Sequence, residues 1–153
     1  MSTPISPSRD DVDGIAVWTV IRAARELARR LADDLAPLGL SPVEFGVLAQ
    51  LAAADGLSQA DLARAVGVRP QSMTALLTGL TGRSLVDRGA GPGRGRHSRL
   101  KLTQAGRALL TDAWPVAVAS DRWFGDDPGR TAAVLEVLHP LLGNAQGGVD
   151  ELP

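Results

Sequence analysis

The sequence predicts a mainly helical α+β fold, with a cluster of short helices leading into one β-hairpin and longer helices on either side. Three stretches carry that expectation. LSQADLARAVGVRPQSMTALLTGL, from Leu57 to Leu80, holds two short helix-period patterns separated by Gly67. GAGPGRGRHSRLKL, from Gly89 to Leu102, sets four glycines and a proline between two short strand-like segments. Between Gly14 and Leu38, apolar residues recur at heptad spacing.

Residues 1–11 mix Pro, Ser and charge without periodicity and are expected to form a disordered arm. Gly14, Ile21, Ala28 and Leu35 then recur every seven residues, as do Val17, Ala24, Leu31 and Leu38. Arg22, Arg25, Glu26, Arg29, Arg30, Asp33 and Asp34 stay off this seam. Such a helix packs either on its own core or on a second subunit. Pro37 and Gly39 end it. Ser41-Pro42-Val43-Glu44 opens the next helix, with Ser as N-cap, Pro at N1 and Glu at N3. Its expected buried stripe is Phe45, Leu48, Leu51 and Ala52, and Asp55-Gly56 closes it. Ser58 caps a short helix to about Val66, Gly67 turns the chain, and Arg69-Pro70 starts a helix whose apolar face is Met73, Leu76, Leu77 and Leu80.

Leu85–Arg88 and Ser98–Leu102 read as strands, the second with Leu100 and Leu102 inward and basic residues outward. Thr103 caps a helix through Leu109, Leu110 and Trp114 that Pro115 should kink or interrupt. Asp127-Pro128 opens a last helix through Val134, Leu135, Leu138, Leu141 and Leu142, ended by Gly143-Asn144. Residues 144–153 read as a disordered tail.

At 153 residues and 44% hydrophobic content, the chain is long enough for one domain with a sizeable core. Aromatics make up only 3%, so Leu, Val and Ala must fill most of it. Without cysteine there is no disulfide, thiol nucleophile or thiolate metal site. No apolar run approaches the roughly 20 residues that span a bilayer, and the N-terminus has no apolar signal core. A cytoplasmic protein with no membrane partner is the expectation. The net charge of −1 hides a strong asymmetry. Nine basic residues face one acid between Arg64 and Arg107, whereas residues 1–63 hold five arginines against nine acids and residues 108–153 two against seven. A basic centre between acidic flanks points to a local polyanion-binding surface.

The order of elements is that of a helix-turn-helix followed by a wing. Ala63 is small where the two helices cross, Gly67 permits the turn, and Leu62, Val68, Met73 and Leu76 can share one core. The second helix of such a motif lies in the DNA major groove with its first turn toward base edges. The recognition-helix candidates are therefore Arg69, Gln71, Ser72 and Thr74. Arg suits guanine, Gln suits adenine, and hydroxyls reach bases or phosphates. A dinucleotide loop would lead from a strand into a helix, whereas here the glycines lead into another strand, and a disordered basic linker would leave the in-register Leu100 and Leu102 unexplained. As a wing tip, the glycine-rich stretch would carry Arg94 or Arg96 into the minor groove. Arg88, Arg99 and Lys101 would then hold phosphates at its base.

Trp18, Trp114 and Trp123 serve either as core and dimer packing or as walls of an aromatic-ligand pocket, with Trp18 and Trp114 the pocket candidates. His97 and His139 have no carboxylate cluster to join them, so no metal is expected. No catalytic constellation, phosphate-binding loop or cofactor motif is present, and the chain is not read as an enzyme.

These residues resemble the MarR-type (multiple antibiotic resistance) winged-helix regulators from about Gly14 to Leu142. The carriers are LSPVEFGVLAQL from Leu40, the Leu57–Leu80 stretch, and SLVDRGAGPGRGRHSRLKLTQAG from Ser84. The resemblance implies a winged helix-turn-helix over 41–102, a first dimerisation helix within 12–40 and C-terminal dimerisation helices over 103–143. It further implies a homodimer on a pseudo-palindromic DNA operator, acting as a repressor or less often an activator. A small aromatic or phenolic effector would bind between the dimer helices and the winged domain and release the DNA. The chain departs from the family at Arg94, which stands where an Asp orients the wing arginine, with Gly95 and Arg96 following. Ala75 and Gly79 replace frequent basic residues, and Ser84 replaces the usual glycine before Leu85-Val86. The alternative reading is a dimeric winged-helix ligand- or protein-binding module that has lost sequence-specific DNA binding.

Overall fold

A computed structural model describes residues 4–54, 56–89 and 99–143. The elements run α1 (Arg9–Asp13), α2 (Ala16–Leu35), α3 (Pro42–Ala53), α4 (Gln59–Val66), α5 (Pro70–Gly82), β1 (Val86–Asp87), β2 (Lys101–Leu102), α6 (Gln104–Ala119) and α7 (Pro128–Leu138). This is a mainly helical winged helix-turn-helix with one small hairpin, flanked by helices.

Local chemistry sets most helix starts. Ser41 and Glu44 form a reciprocal capping box on α3, with Glu44 N–H donating to Ser41 Oγ at 3.1 Å and Ser41 N–H donating to Glu44 Oε2 at 2.8 Å. Ser58, Thr103 and Asp127 cap α4, α6 and α7 through their side chains. Part of the expected disordered arm is helical: Ser8 and Asp11 make a capping box that starts α1. Arg22 Nη1 meets Asp13 Oδ1 at 2.8 Å, tying α1 to α2.

The core joins Leu35 of α2 and Leu40 to Val47, Leu48 and Leu51 of α3, Leu62 and Ala63 of α4, and Met73, Leu77 and Leu80 of α5. Leu85, Val86, Leu100 and Leu102 close it from the hairpin, with Leu110 and Ala113 from α6. Among the described residues no polar or charged residue is buried. Helix α3 differs from expectation: Val47 is buried and Ala52 exposed. The helix packs against α2, α4, α6 and β2, so more than one side is covered and a single-stripe pattern misplaces the face.

The strands are shorter than expected. Val86 pairs with Leu102 and Asp87 with Lys101, antiparallel, while Leu100 pairs instead with Leu57 in an isolated bridge. Gly89 N–H turns back onto Asp87 Oδ1 at 3.0 Å and ends β1. Helix α6 continues unbroken through Pro115 to Ala119. Proline removes only the N–H that would bond the Thr111 carbonyl, and both residues are exposed, so water reaches the freed carbonyl.

The flanking helices are largely uncovered. In α2 only Leu35 is buried, and in α7 nothing is. Val17 is 65% exposed and Val137 66%, so the N-terminal half of the α2 heptad seam is not spent on this chain's own core. Among the described residues no single helix is long and apolar enough to cross a membrane.

Candidate nucleic-acid interface

The turn between α4 and α5 fixes the interface geometry. Gly67 is left-handed at φ 76°, its N–H bonds the carbonyls of Ala63 and Arg64, and Val68 N–H bonds the Ala63 carbonyl at 3.0 Å. Arg69 follows as N-cap with extended backbone, and Pro70 occupies N1 of α5. Met73, Leu77 and Leu80 point into the core, which leaves Arg69, Gln71, Ser72 and Thr74 exposed on the first turn and a half. The four sequence-predicted recognition residues therefore share one exposed end of one helix.

The hairpin lies C-terminal to that helix. Ser84 adopts φ 58°, left-handed backbone that a side chain disfavours, and accepts a hydrogen bond from Thr103 Oγ1 at 2.7 Å. Arg99 and Lys101 are exposed and Arg88 is half-buried. The Arg99 side chain folds across Gly56, whose added Cβ would lie 3.0 Å from its Cδ and Nη1. Arg94 and Arg96, the candidate wing-tip arginines, lie outside the described residues.

The ion pairs separate these cations into two groups. Arg64 pairs with Asp61, and Arg83 approaches Glu44 at 3.7 Å. Arg69, Arg88, Arg99, Lys101 and Arg107 form no ion pair among the described residues. The Asp61 carboxyl is held below the ordinary range, first by the Ser58 hydroxyl and then by Arg64, its ion-pair partner on α4.

Sequence reasoning missed Gln59. Its Nε2 donates to Thr74 Oγ1 at 2.6 Å, joining the two helices of the motif across the exposed side. The residues lie fifteen apart, and no periodicity links them.

The tryptophans divide. Trp114 is 54% exposed, its ring centroid 6.2 Å from that of Phe45. It borders a groove of about 490 Å³ between α3 and α6, with Ala49, Ala53, Leu110, Thr111 and Pro115. Trp18 is not among the walls of that groove and is 38% exposed on α2. Trp123 is half-buried, with the Arg122 guanidinium 5.6 Å from its ring centre. A second apolar groove, about 420 Å³, runs between α2 and α7. Among the described residues no cluster of three or more His, Asp or Glu could hold a metal ion.

The model of the MarR family matches residues 38–97, a span that includes α3, α4, α5 and β1. The HTH-type transcriptional repressor Rv2887 of Mycobacterium tuberculosis is 38% identical over 104 residues, covering 68% of this chain and 75% of that protein. Its structure in complex with DNA superposes with a TM-score of 0.67 at 30% identity, over 84% of this chain and 98% of that one. The same repressor has been solved with salicylic acid, at 32% identity and TM-score 0.67, over 84% of this chain and 97% of that one. The transcriptional repressor CouR bound to a 23-mer DNA duplex reaches a TM-score of 0.79 at 26% identity, over 90% of this chain and 99% of that one.

Proposed function

The chain belongs to the MarR family, and from that premise we propose that it is a repressor that binds a pseudo-palindromic operator as a homodimer and is released by a small aromatic ligand. The family places it among DNA-binding regulators rather than enzymes. The observation that carries the DNA-reading proposal is the exposed first turn of α5, where Arg69, Gln71 and Ser72 stand, with Thr74 next to them at the start of the second turn, on a helix whose opposite face is locked into the core. Arg and Gln are the side chains that read guanine and adenine edges bidentately. Arg88, Arg99 and Lys101 supply phosphate partners beside it, and Arg94 and Arg96 would extend the readout into the minor groove.

The homodimer reading is supported by the exposed apolar residues of α2 and α7, among them Val17, Ile21, Leu135 and Val137, because covering them removes apolar surface from water. The effector reading is supported by the Trp114 groove, which lies between the winged domain and α6, and by the salicylate complex of Rv2887. Trp18 would contribute only if the partner subunit brought it there.

Light scattering of the protein–operator complex, together with footprinting, tests the arrangement. The expected result is two chains per site and protected half-sites about 10–10.5 base pairs apart. One chain per site would contradict it. Salicylate, added to the complex, should lower DNA affinity, and Trp114→Ala should abolish that response while leaving DNA affinity intact. A response that survives Trp114→Ala would move the effector elsewhere.

A further inference from the structure

Thr74 stands on the exposed turn of α5, yet its hydroxyl is already engaged. Its single hydrogen goes to the Pro70 carbonyl at 3.2 Å, and its oxygen accepts from Gln59 Nε2 at 2.6 Å. No donor is left for a phosphate or for a base acceptor, since a hydroxyl has one hydrogen. Gln59 is in the opposite position. One amide hydrogen holds Thr74, while the second hydrogen and Oε1 have no partner among the described residues. The amide orientation is fixed by the same network: only Nε2 toward Thr74 lets Thr74 keep its bond to Pro70.

We propose that Gln59 is a DNA-positioning residue: Thr74 orients its amide, and the remaining N–H donates to a backbone phosphate, setting how the first turn of α5 sits in the groove. The proposal rests on the DNA-binding reading above and adds to it a residue outside the recognition helix. A phosphate is favoured over a base edge by placement. Gln59 is the first residue of α4, and the helix preceding the recognition helix crosses the DNA backbone. A rigid link from that point to the second turn of α5 couples the backbone contact to the reading helix. Contacts to phosphate fix register, and base contacts specify sequence.

The test uses the full chain and its operator duplex, with affinities read by fluorescence anisotropy. Gln59→Ala should weaken binding roughly tenfold, the worth of one hydrogen bond to a charged group. The factor should be the same on operator variants, and the salt slope should not change, because no cation is removed. Thr74→Val should weaken the unsubstituted protein by roughly threefold, about the worth of a neutral hydrogen bond, and should have no effect in the Gln59→Ala background. Gln59→Glu, which keeps the side-chain shape but places a negative charge near the phosphate, should lose more than Gln59→Ala. Melting of the free protein serves as the folding control, and Gln59→Glu carries the test if Gln59→Ala does not fold. Additive losses from Gln59→Ala and Thr74→Val would overturn the proposal, as would a loss confined to particular base pairs or an unchanged affinity. If the unsubstituted protein shows no sequence-dependent binding, the regulator reading itself falls, and this proposal with it.

Discussion

Gly106→Ala should destabilise the protein although it replaces glycine by alanine inside a helix. A Cβ at Gly106 would lie 2.2 Å from the Leu85 carbonyl oxygen, 2.9 Å from Leu102 Cδ2 and 3.1 Å from the Leu85 carbonyl carbon. The close atom is backbone, so no side-chain rotation relieves it. Leu85 O also accepts from Thr103 N–H at 3.2 Å, and Thr103 Oγ1 caps α6 by accepting from Gly106 N–H at 3.0 Å. Moving Leu85 away therefore strains the joint between hairpin and α6. Overpacking of this kind costs about 1–3 kcal/mol, and a weakened buried hydrogen bond adds about 1 kcal/mol or more. The helix-propensity gain of alanine offsets at most about 1 kcal/mol. The net loss is roughly 1–4 kcal/mol, or a fall in melting temperature of roughly 2–16 °C for a chain of this size. Gly79→Ala is the matched control. It lies in α5 with nothing within 4 Å of its added Cβ, so only the propensity gain remains and stability should rise by up to about 1 kcal/mol. Urea and thermal unfolding at one fixed protein concentration measure both, because any dimer makes stability concentration-dependent. A Gly106→Ala protein as stable as Gly79→Ala would refute the packing account of this joint.

Ser84→Gly should stabilise the fold by roughly 1 kcal/mol, because Ser84 holds a left-handed φ of 58° that glycine adopts freely; a loss in urea unfolding would sink the strain reading. Arg99→Ala and Lys101→Ala should each reduce the magnitude of the log–log salt slope of operator binding by about 1, and unchanged slopes would remove the base of the hairpin from the DNA contact. Gln71→Ala should cost roughly 1–3 kcal/mol on the preferred operator and less on variants at one base pair; an equal loss on every duplex would make Gln71 a backbone contact. Hydrogen bonds from Arg29 and then Arg30 lower the Glu26 pKa from 4.5 to about 2. Its folded value is thus below its unfolded one, so its stabilisation is complete above about pH 4.5 and is lost as pH falls toward 2. Glu26→Gln should flatten the stability profile across that interval, and parallel profiles would show that the exposed Arg–Glu cluster contributes nothing.

Local chemistry was legible in the sequence wherever one short segment contains the whole device. The Ser41–Glu44 box, the Ser58 and Thr103 caps and the Gly67 turn are each complete within four residues or so, and the structure holds them as read. The exposed ends of α5 followed from its period alone, since burying Met73 and Leu77 turns Gln71, Ser72 and Thr74 outward. What escaped was settled by distant parts of the chain. Leu100 pairs with Leu57 instead of prolonging the hairpin, because α3–α4 packing brings that carbonyl to the strand edge. Val47 is buried because α3 is covered from several directions. The Gln59–Thr74 bond joins residues that only the α4–α5 crossing brings together. Helix α1 escaped for a different reason, being a five-residue helix held by one capping box and a link to Arg22, too short for any period to register.

The central claim is that the first turn of α5 and the basic hairpin read DNA. The most direct test is anisotropy of the purified chain over a salt series, on duplexes enriched by it from a random pool beside shuffled controls of equal composition. The account predicts one enriched, two-fold-related motif, bound far more tightly than its shuffled control. It also predicts affinity that falls steeply with salt, by close to 0.9 in the log–log slope per phosphate neutralised. No enriched motif, or equal binding to both duplexes, would contradict it.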